Sequence, residues 1–276
     1  MREGCLIGCL GLIAVTMILT IVAVVALDGF FGLFREADRI SLTEYYGQDH
    51  DVMMLVEPNF DVIGSAVADT ADGPPPWLVD YVLPYEVTLF IDVDRESRTN
   101  TYTVAASLKR MAGFMSYYLP RGKGFTIFDG AEITDLGVNT SGVAYIEAKA
   151  PIGEETLQRA ESMGSLESPE LYVIENGHLA QIVLNNADGD AFIALQEFFD
   201  GGAGDSASGD KMTPEEEVML GQNVTAAKFT FDTVNAETVE LEVRARLVDP
   251  ETATDIIPVL DEAVRQMAPE DQSGKV

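Results

Sequence analysis

An α+β fold is what the sequence predicts: a hairpin-rich antiparallel sheet with helices on one face, preceded by one transmembrane helix. Three observations carry that expectation. Residues 5–27 hold no charged side chain, and a helix rising about 1.5 Å per residue covers about 34 Å over such a run, enough for a hydrocarbon core of roughly 30 Å. Beyond it, apolar and polar residues alternate with period two between turn residues, as half-buried strands do. These strands come in pairs followed by helical patterns, and two pairs overlay, "TLFIDV…TYTVAASL" on "KFTFDT…VELEVRARL", with Asp92 and Asp232 each ending the first strand. The overlay predicts an internal duplication, and paired strands with a helix after each place the helices on one face of an antiparallel sheet.

Residues 1–4 form a short tail and 5–27 the span. The apolar core is longer than the roughly 7–15 residues of a cleaved signal, so an uncleaved anchor is expected. Leu6-Ile7-Gly8-Cys9 has the look of a lipoprotein processing site, but its apolar core follows the cysteine instead of preceding it. Cys5 and Cys9 lie one helical turn apart at the membrane edge, where they read as apolar-tolerant thiols or as acylation sites. Gly4, Gly8 and Gly11 offer a small-residue face on which two such helices can pack, a route to a homo-oligomer. Arg2 on one side against Arg35 and Arg39 on the other leaves the orientation undecided by charge. The absence of cysteine after Cys9 suits a domain exported to an oxidising compartment, so the N-terminus is placed in the cytoplasm and the domain in the periplasm or outside the cell.

Residues 28–48 read as a juxtamembrane connector, with Phe30, Phe31, Leu33 and Phe34 where aromatic side chains settle at a membrane surface. A first α+β lobe spans 49–199. Its first unit is "DVMMLVEP" with "FDVIGSAVAD" and a helix near Trp77 to Leu83. The second is "VTLFIDV", the loop "DRESRTN", "TYTVAASL" and the helical "KRMAGFMSYYL". The third turns at Asp129-Gly130 between "FTIF" and "AEIT", continues through "VAYIEAKA" and ends in "EETLQRAESM". In the fourth, Asn176-Gly177 sits between "LYVIE" and "HLAQIVL", the pairing preferred by a tight type I′ hairpin. Asp190 then caps a helix whose Phe192, Leu195 and Phe199 share one face.

Residues 200–212, rich in Gly, Ser and Asp, read as a loop, and 213–267 as a second lobe or the completion of the first. Thr213-Pro214-Glu215-Glu216 opens a helix with a capping Thr and Pro in the first turn. "AAKFTFDT", "VELEVRARL" and a helix opened by Asp249-Pro250 follow, with Ile256, Leu260, Ala263, Val264 and Met267 on its core face. Residues 268–276 form a loose tail.

Arg2 and Glu3 offset one another, so the net charge of −29 belongs entirely to the chain beyond the span. That charge repels phosphate backbones and anionic lipid headgroups, which argues against a nucleic-acid partner and leaves membrane contact to residues 5–27. It favours cationic partners, or divalent ions held weakly by the acidic surface. No cofactor is expected.

A thiol, a phosphate-binding glycine loop, a dinucleotide fingerprint and a G-x-S-x-G elbow are all absent from the chain after residue 27. Asp92-Val93-Asp94 after an apolar strand resembles the paired carboxylates that hold a divalent ion, and Asp188 and Asp190 resemble part of a calcium loop, although Leu184 and Leu195 occupy its end positions. Asp92, Asp94, Asp188 and Asp190 are therefore the weak metal candidates, and no catalytic residue is assigned. Asp92, Asp94, Asp129 and Glu175 are the acids a carboxylate-based hydrolase or transferase would use. His50, in Asp49-His50-Asp51, points away from both neighbours if extended, and His178 follows a turn, so neither reads as a ligand. Arg121-Gly122-Lys123-Gly124 reads as a basic turn, and Asn139-Thr140-Ser141 and Asn223-Val224-Thr225 fit the N-glycosylation pattern. The expected function is that of a single-pass, membrane-anchored binding or structural module with protein partners in the envelope. The alternatives are that carboxylate or metal-dependent enzyme, or a ligand or cation sensor working through a partner helix.

Overall fold

The computed structural model describes residues 22, 23, 26, 36–58, 79, 83–110, 126–127, 131–163, 171–186, 189–198, 214–235 and 238–259. Val22, Ala23 and Ala26 are helical; the rest of the charge-free run, with Gly4, Gly8 and Gly11, lies outside the described residues. Among the described residues no helix is long and apolar enough to cross a membrane. Outside them also lie the expected strand "FDVIGSAVAD", the helix "KRMAGFMSYYL", Asp129, Asp188, the basic turn at 121–124, the loop at 200–212 and the tail at 268–276.

The strands are β1 Val52–Val56, β2 Glu86–Asp94, β3 Thr99–Ser107, β4 Thr126–Ile127, β5 Ala131–Val138, β6 Val143–Pro151, β7 Ala180–Asn185, β8 Val224–Asn235 and β9 Thr238–Leu247. The helices are α1 Leu42–Tyr46, α2 Glu154–Met163, α3 Asp190–Phe198 and α4 Pro214–Asn223. A 3-10 turn at Pro250–Thr252 leads into a helical stretch at 253–259, and Asp249 Oδ1 accepts the Glu251 N–H at 2.9 Å to start it. All the strands join one antiparallel sheet in the order β4-β5-β6-β3-β2-β1-β7-β8-β9.

Side chains on successive strand residues face opposite ways, so the register defines two faces. On one, Val52 and Ile91 meet Ala191 and Ala194 of α3; alanines at these positions let the helix lie close to the sheet. Leu220, Val224, Ala227 and Ile256 extend this layer, with Phe192 packed against them. On the other face Met53, Leu55, Phe90 and Val183 form a cluster completed by Ile174.

The expectation of helices on one face needs a correction. α1 packs on the face opposite α3, where Leu42 is sealed against Ala105 and Val143 with Tyr46 and Tyr145 beside it. Its length hid it from periodicity: five residues, capped by the Ser41 hydroxyl accepting from Glu44 N and closed by Gly47 at φ 93°. The tight hairpin at Asn176-Gly177 is also absent as a ladder. Gly177 does turn the chain, with φ 100°, but residues 171–175 are not in a strand. β7 pairs instead with β1 and β8.

Within the sheet, the six strands β3-β2-β1-β7-β8-β9 are symmetric in register about the β1–β7 pair. Val52 faces Ile91 in β2 and Leu89 faces Val104 in β3; Ala180 faces Phe231 in β8 and Phe229 faces Val243 in β9. The two bonds that extend the β1–β7 pair are reciprocal, Asn185 N to Asp51 O at 2.8 Å and Glu57 N to Leu179 O at 2.9 Å.

Candidate functional site

Inward positions on the α1 face of the sheet are rich in buried polar side chains, among them Glu86, Thr88, Ser107, Gln181, Lys228 and Thr230. Two segments without a strand partner, 36–48 and 171–179, account for most of them. A backbone N–H or C=O buried without a ladder needs a side chain in its place. For the connector, Ser107 Oγ accepts the Ile40 N–H at 3.3 Å and the Glu86 carboxylate accepts that of Leu42. For the second segment, Gln48 takes the Ile174 N–H at 2.8 Å and returns a bond to the Ile174 carbonyl at 3.3 Å. Gln181 does the same for Glu175. The buried Lys228 ammonium donates to Val173 O at 3.0 Å and to Glu175 Oε2 at 2.9 Å, and this ion pair holds the Glu175 carboxyl below the usual carboxylate range.

The segments meet at a polar cleft of about 520 Å³ whose walls include Arg39, Glu57, Tyr85, Lys109, His178 and Asp232. Arg39 Nη2 donates to Glu57 Oε2 at 2.8 Å and to Glu86 Oε2 at 3.4 Å. Glu57 Oε1 accepts the Gly177 N–H at 3.0 Å, tying the connector to the turn. Burial raises the Glu86 carboxyl above its ordinary value, more than the Leu42 N–H and Arg39 lower it. Tyr85 donates to Glu36 at 2.8 Å and to the Ala37 carbonyl at 3.0 Å, and burial with the adjacent carboxylate pushes its phenol up to about 12.

Both histidines carry the same bond. His50 Nδ1 lies 2.9 and 3.0 Å from the oxygens of Asp92, and His178 Nδ1 lies 2.9 and 3.0 Å from those of Asp232. Their surroundings differ. The His50 ring stacks 4.5 Å from Phe90, and its Nε2 is buried with no hydrogen-bond partner among the described residues. His178 lines the cleft with its side chain 29% exposed. Burial opposes a charge on His50, and the hydrogen-bonded Asp92 carboxylate outweighs it and raises the ring's pKa.

No described protein family matches the chain, and no curated protein does. Among solved structures it is similar to crystal form I of TP0453, at 11% identity and a TM-score of 0.31, over 82% of this chain and 87% of that one. A likeness of that strength assigns no function.

Of the acids singled out by spacing, Asp129 and Asp188 lie outside the described residues, and Asp92, Asp94 and Asp190 each have a different partner. Asp92 is held by His50, Asp94 Oδ1 accepts the Ser97 N–H at 3.0 Å in the β2–β3 turn, and Asp190 pairs with Arg95 at 2.6 Å. Asp94 is lowered below its ordinary pKa by the Ser97 bonds. Among the described residues no three His, Cys, Asp or Glu side chains are grouped to hold a metal ion. Both glycosylation patterns serve structure. Asn139 Oδ1 accepts from Ser141 N at 3.0 Å and Val143 N at 2.9 Å, and its Nδ2 donates to Tyr45; Asn223 Nδ2 donates to Met219 O at 2.8 Å. Spacing missed the two His–Asp bonds, which join residues 42 and 54 positions apart. The available signal was the overlay that set Asp92 against Asp232.

Proposed function

We propose that this chain is a single-pass, membrane-tethered binding module with its acidic domain outside the cytoplasm, and that the polar cleft is where it binds. The observation that carries the reading is that the connector leading from residues 5–27 forms one wall of the cleft: Arg39 lines it while bridging Glu57 and Glu86. Protein partners in the envelope and a homo-oligomer through Gly4, Gly8 and Gly11 belong to the same reading. Affinity purification of the full chain from its own membranes, in moderate salt, tests it. A chain extracted by alkaline carbonate as a peripheral protein, with no partner or ligand retained, would count against it.

The carboxylate-enzyme alternative finds less support, since Asp92, Asp94 and Glu175 are each committed to a different protein partner. A sensor working through a partner helix is compatible with the tether forming the cleft wall.

We also propose that the sheet arose by internal duplication of a β1-β2-β3 unit as β7-β8-β9. Matching registers and the repeated His–Asp pair support it. Sequences of relatives aligned half against half would show similarity above shuffled controls, and none above them would sink the idea.

A further inference from the structure

We infer that the cleft is a site for a small oxyanion, a carboxylate or a phosphate, held by the Arg39 guanidinium beside His178. The inference rests on the cleft being the binding site and adds its ligand class. In a chain with 46 acidic and 17 basic residues, an acidic pocket would be unremarkable. What matters is which hydrogen-bonding capacity the protein has not used.

Both carboxylates in the wall already hold protein donors, the single Nδ1–H of His178 being shared between the oxygens of Asp232. Glu57 Oε2 accepts from Arg39 and Oε1 from Gly177 N, while both oxygens of Asp232 face His178 Nδ1. The donors are not exhausted. A guanidinium carries five N–H groups in a planar fork, and Arg39, 46% exposed, donates to the described residues through Nη2 alone. The Asp232 carboxylate can only accept, so His178 carries its proton on Nδ1, and its Nε2, on the cleft wall, has no partner among the described residues. Oxyanions are the ligands that accept such bonds in parallel from a guanidinium. The second His–Asp pair supplies the contrast: His50 has the same bond, but its Nε2 is sealed away.

Because the chain holds two histidines, its imidazole NMR spectrum resolves both, and His50 serves as an internal reference. The experiment titrates the full-length protein in detergent with inorganic phosphate, with acetate, with ethylammonium and with glycerol, at constant ionic strength. Saturable movement of the His178 resonances with phosphate or acetate, with His50 still, is the expected result. An affinity near 1 mM suits two charge-assisted bonds, and Arg39→Gln should weaken it by about tenfold or more. Phosphate moving His178 with acetate silent, or the reverse, tells the two sources of the oxyanion apart. Should Arg39→Gln unfold the domain, Arg39→Lys, which keeps the charge and loses the planar fork, provides a second test and should also weaken the phosphate and acetate response. Saturable movement with ethylammonium or glycerol but neither anion overturns the ligand class and leaves the cleft as a binding site. No saturable movement with any probe overturns both. Movement of both histidines together marks a general salt effect and overturns the inference as well.

Discussion

Replacing Glu86 tests the idea that inward polar residues exist to satisfy the connector. Its side chain is 1% exposed and accepts the N–H of Leu42, itself fully buried. Glu86→Ala leaves that N–H without a partner, at a cost of about 1–3 kcal/mol. The void left by the lost side chain adds about 1 kcal/mol, and Arg39, which keeps Glu57 as a partner, adds little because it is half-exposed. The sum is about 2–4 kcal/mol, read as a shift in urea midpoint at unchanged slope for the full chain in detergent. Glu86→Gln keeps an acceptor of the same shape and separates hydrogen bond from charge. Burial raises the folded pKa of Glu86 above its ordinary 4.5. A raised carboxyl contributes stability that is present below pH 4.5 and lost as pH rises through the folded value. Wild type should therefore lose stability relative to Glu86→Gln over that window and gain it back on acidification. Glu86→Ala within about 0.5 kcal/mol of wild type, below the usual cost of an orphaned buried donor, would refute the reasoning. So would a Glu86→Gln variant as damaged as Glu86→Ala.

Other perturbations have equally definite outcomes. The raised pKa of His50 means that its contribution is full below pH 6.5 and fades as pH rises through the folded value; NMR titration should place its midpoint above 6.5, and Asp92→Asn should bring it down. Gly177→Ala meets no atom within 4 Å, so its cost, about 1–2 kcal/mol, comes from φ 100° alone; a neutral effect by urea unfolding would contradict that conformation. Lys228→Met removes the donor to Val173 O and Glu175 and should cost about 1–2 kcal/mol. It should also speed hydrogen exchange at the Ile174 amide more than in β1.

The sheet was legible because its signal is local. β2, β3, β6, β8 and β9 each run for 9 residues or more, with period-two stretches such as "KFTFDT" and "VELEVRARL" inside them, and the turn residues between them stand where the chain reverses. "LYVIE" misled because an apolar run before Asn-Gly satisfies the hairpin pattern, whereas its backbone is satisfied by Gln48, Gln181 and Lys228, residues that no local rule associates with it. The cleft was illegible since Arg39, Glu57, His178 and Asp232 come from four separate stretches. Asp92 and Asp94 looked like a pair from their spacing, and each bonds to a different protein donor, His50 and the Ser97 N–H, neither of which spacing identifies.

Holding irregular segments by side chains has a dynamic consequence that bears on the proposed function. A ladder strand opens only with its neighbours, but the connector is fixed by separate bonds from Glu86, Ser107 and the Lys109 carbonyl, so it can detach while the sheet stays intact. Arg39 belongs to both the connector and the cleft. An oxyanion that engages its remaining N–H groups must alter the free energy of docking the connector, and by linkage the docked connector must alter the affinity for the oxyanion by the same factor. Hydrogen exchange at Leu42 and Ile40, compared with Met53 in β1, measures the first half of that statement. Phosphate should change protection at the connector amides and leave β1 as it was. Equal change at both sites would mean that the anion stabilises the whole domain and that the connector is no separate unit.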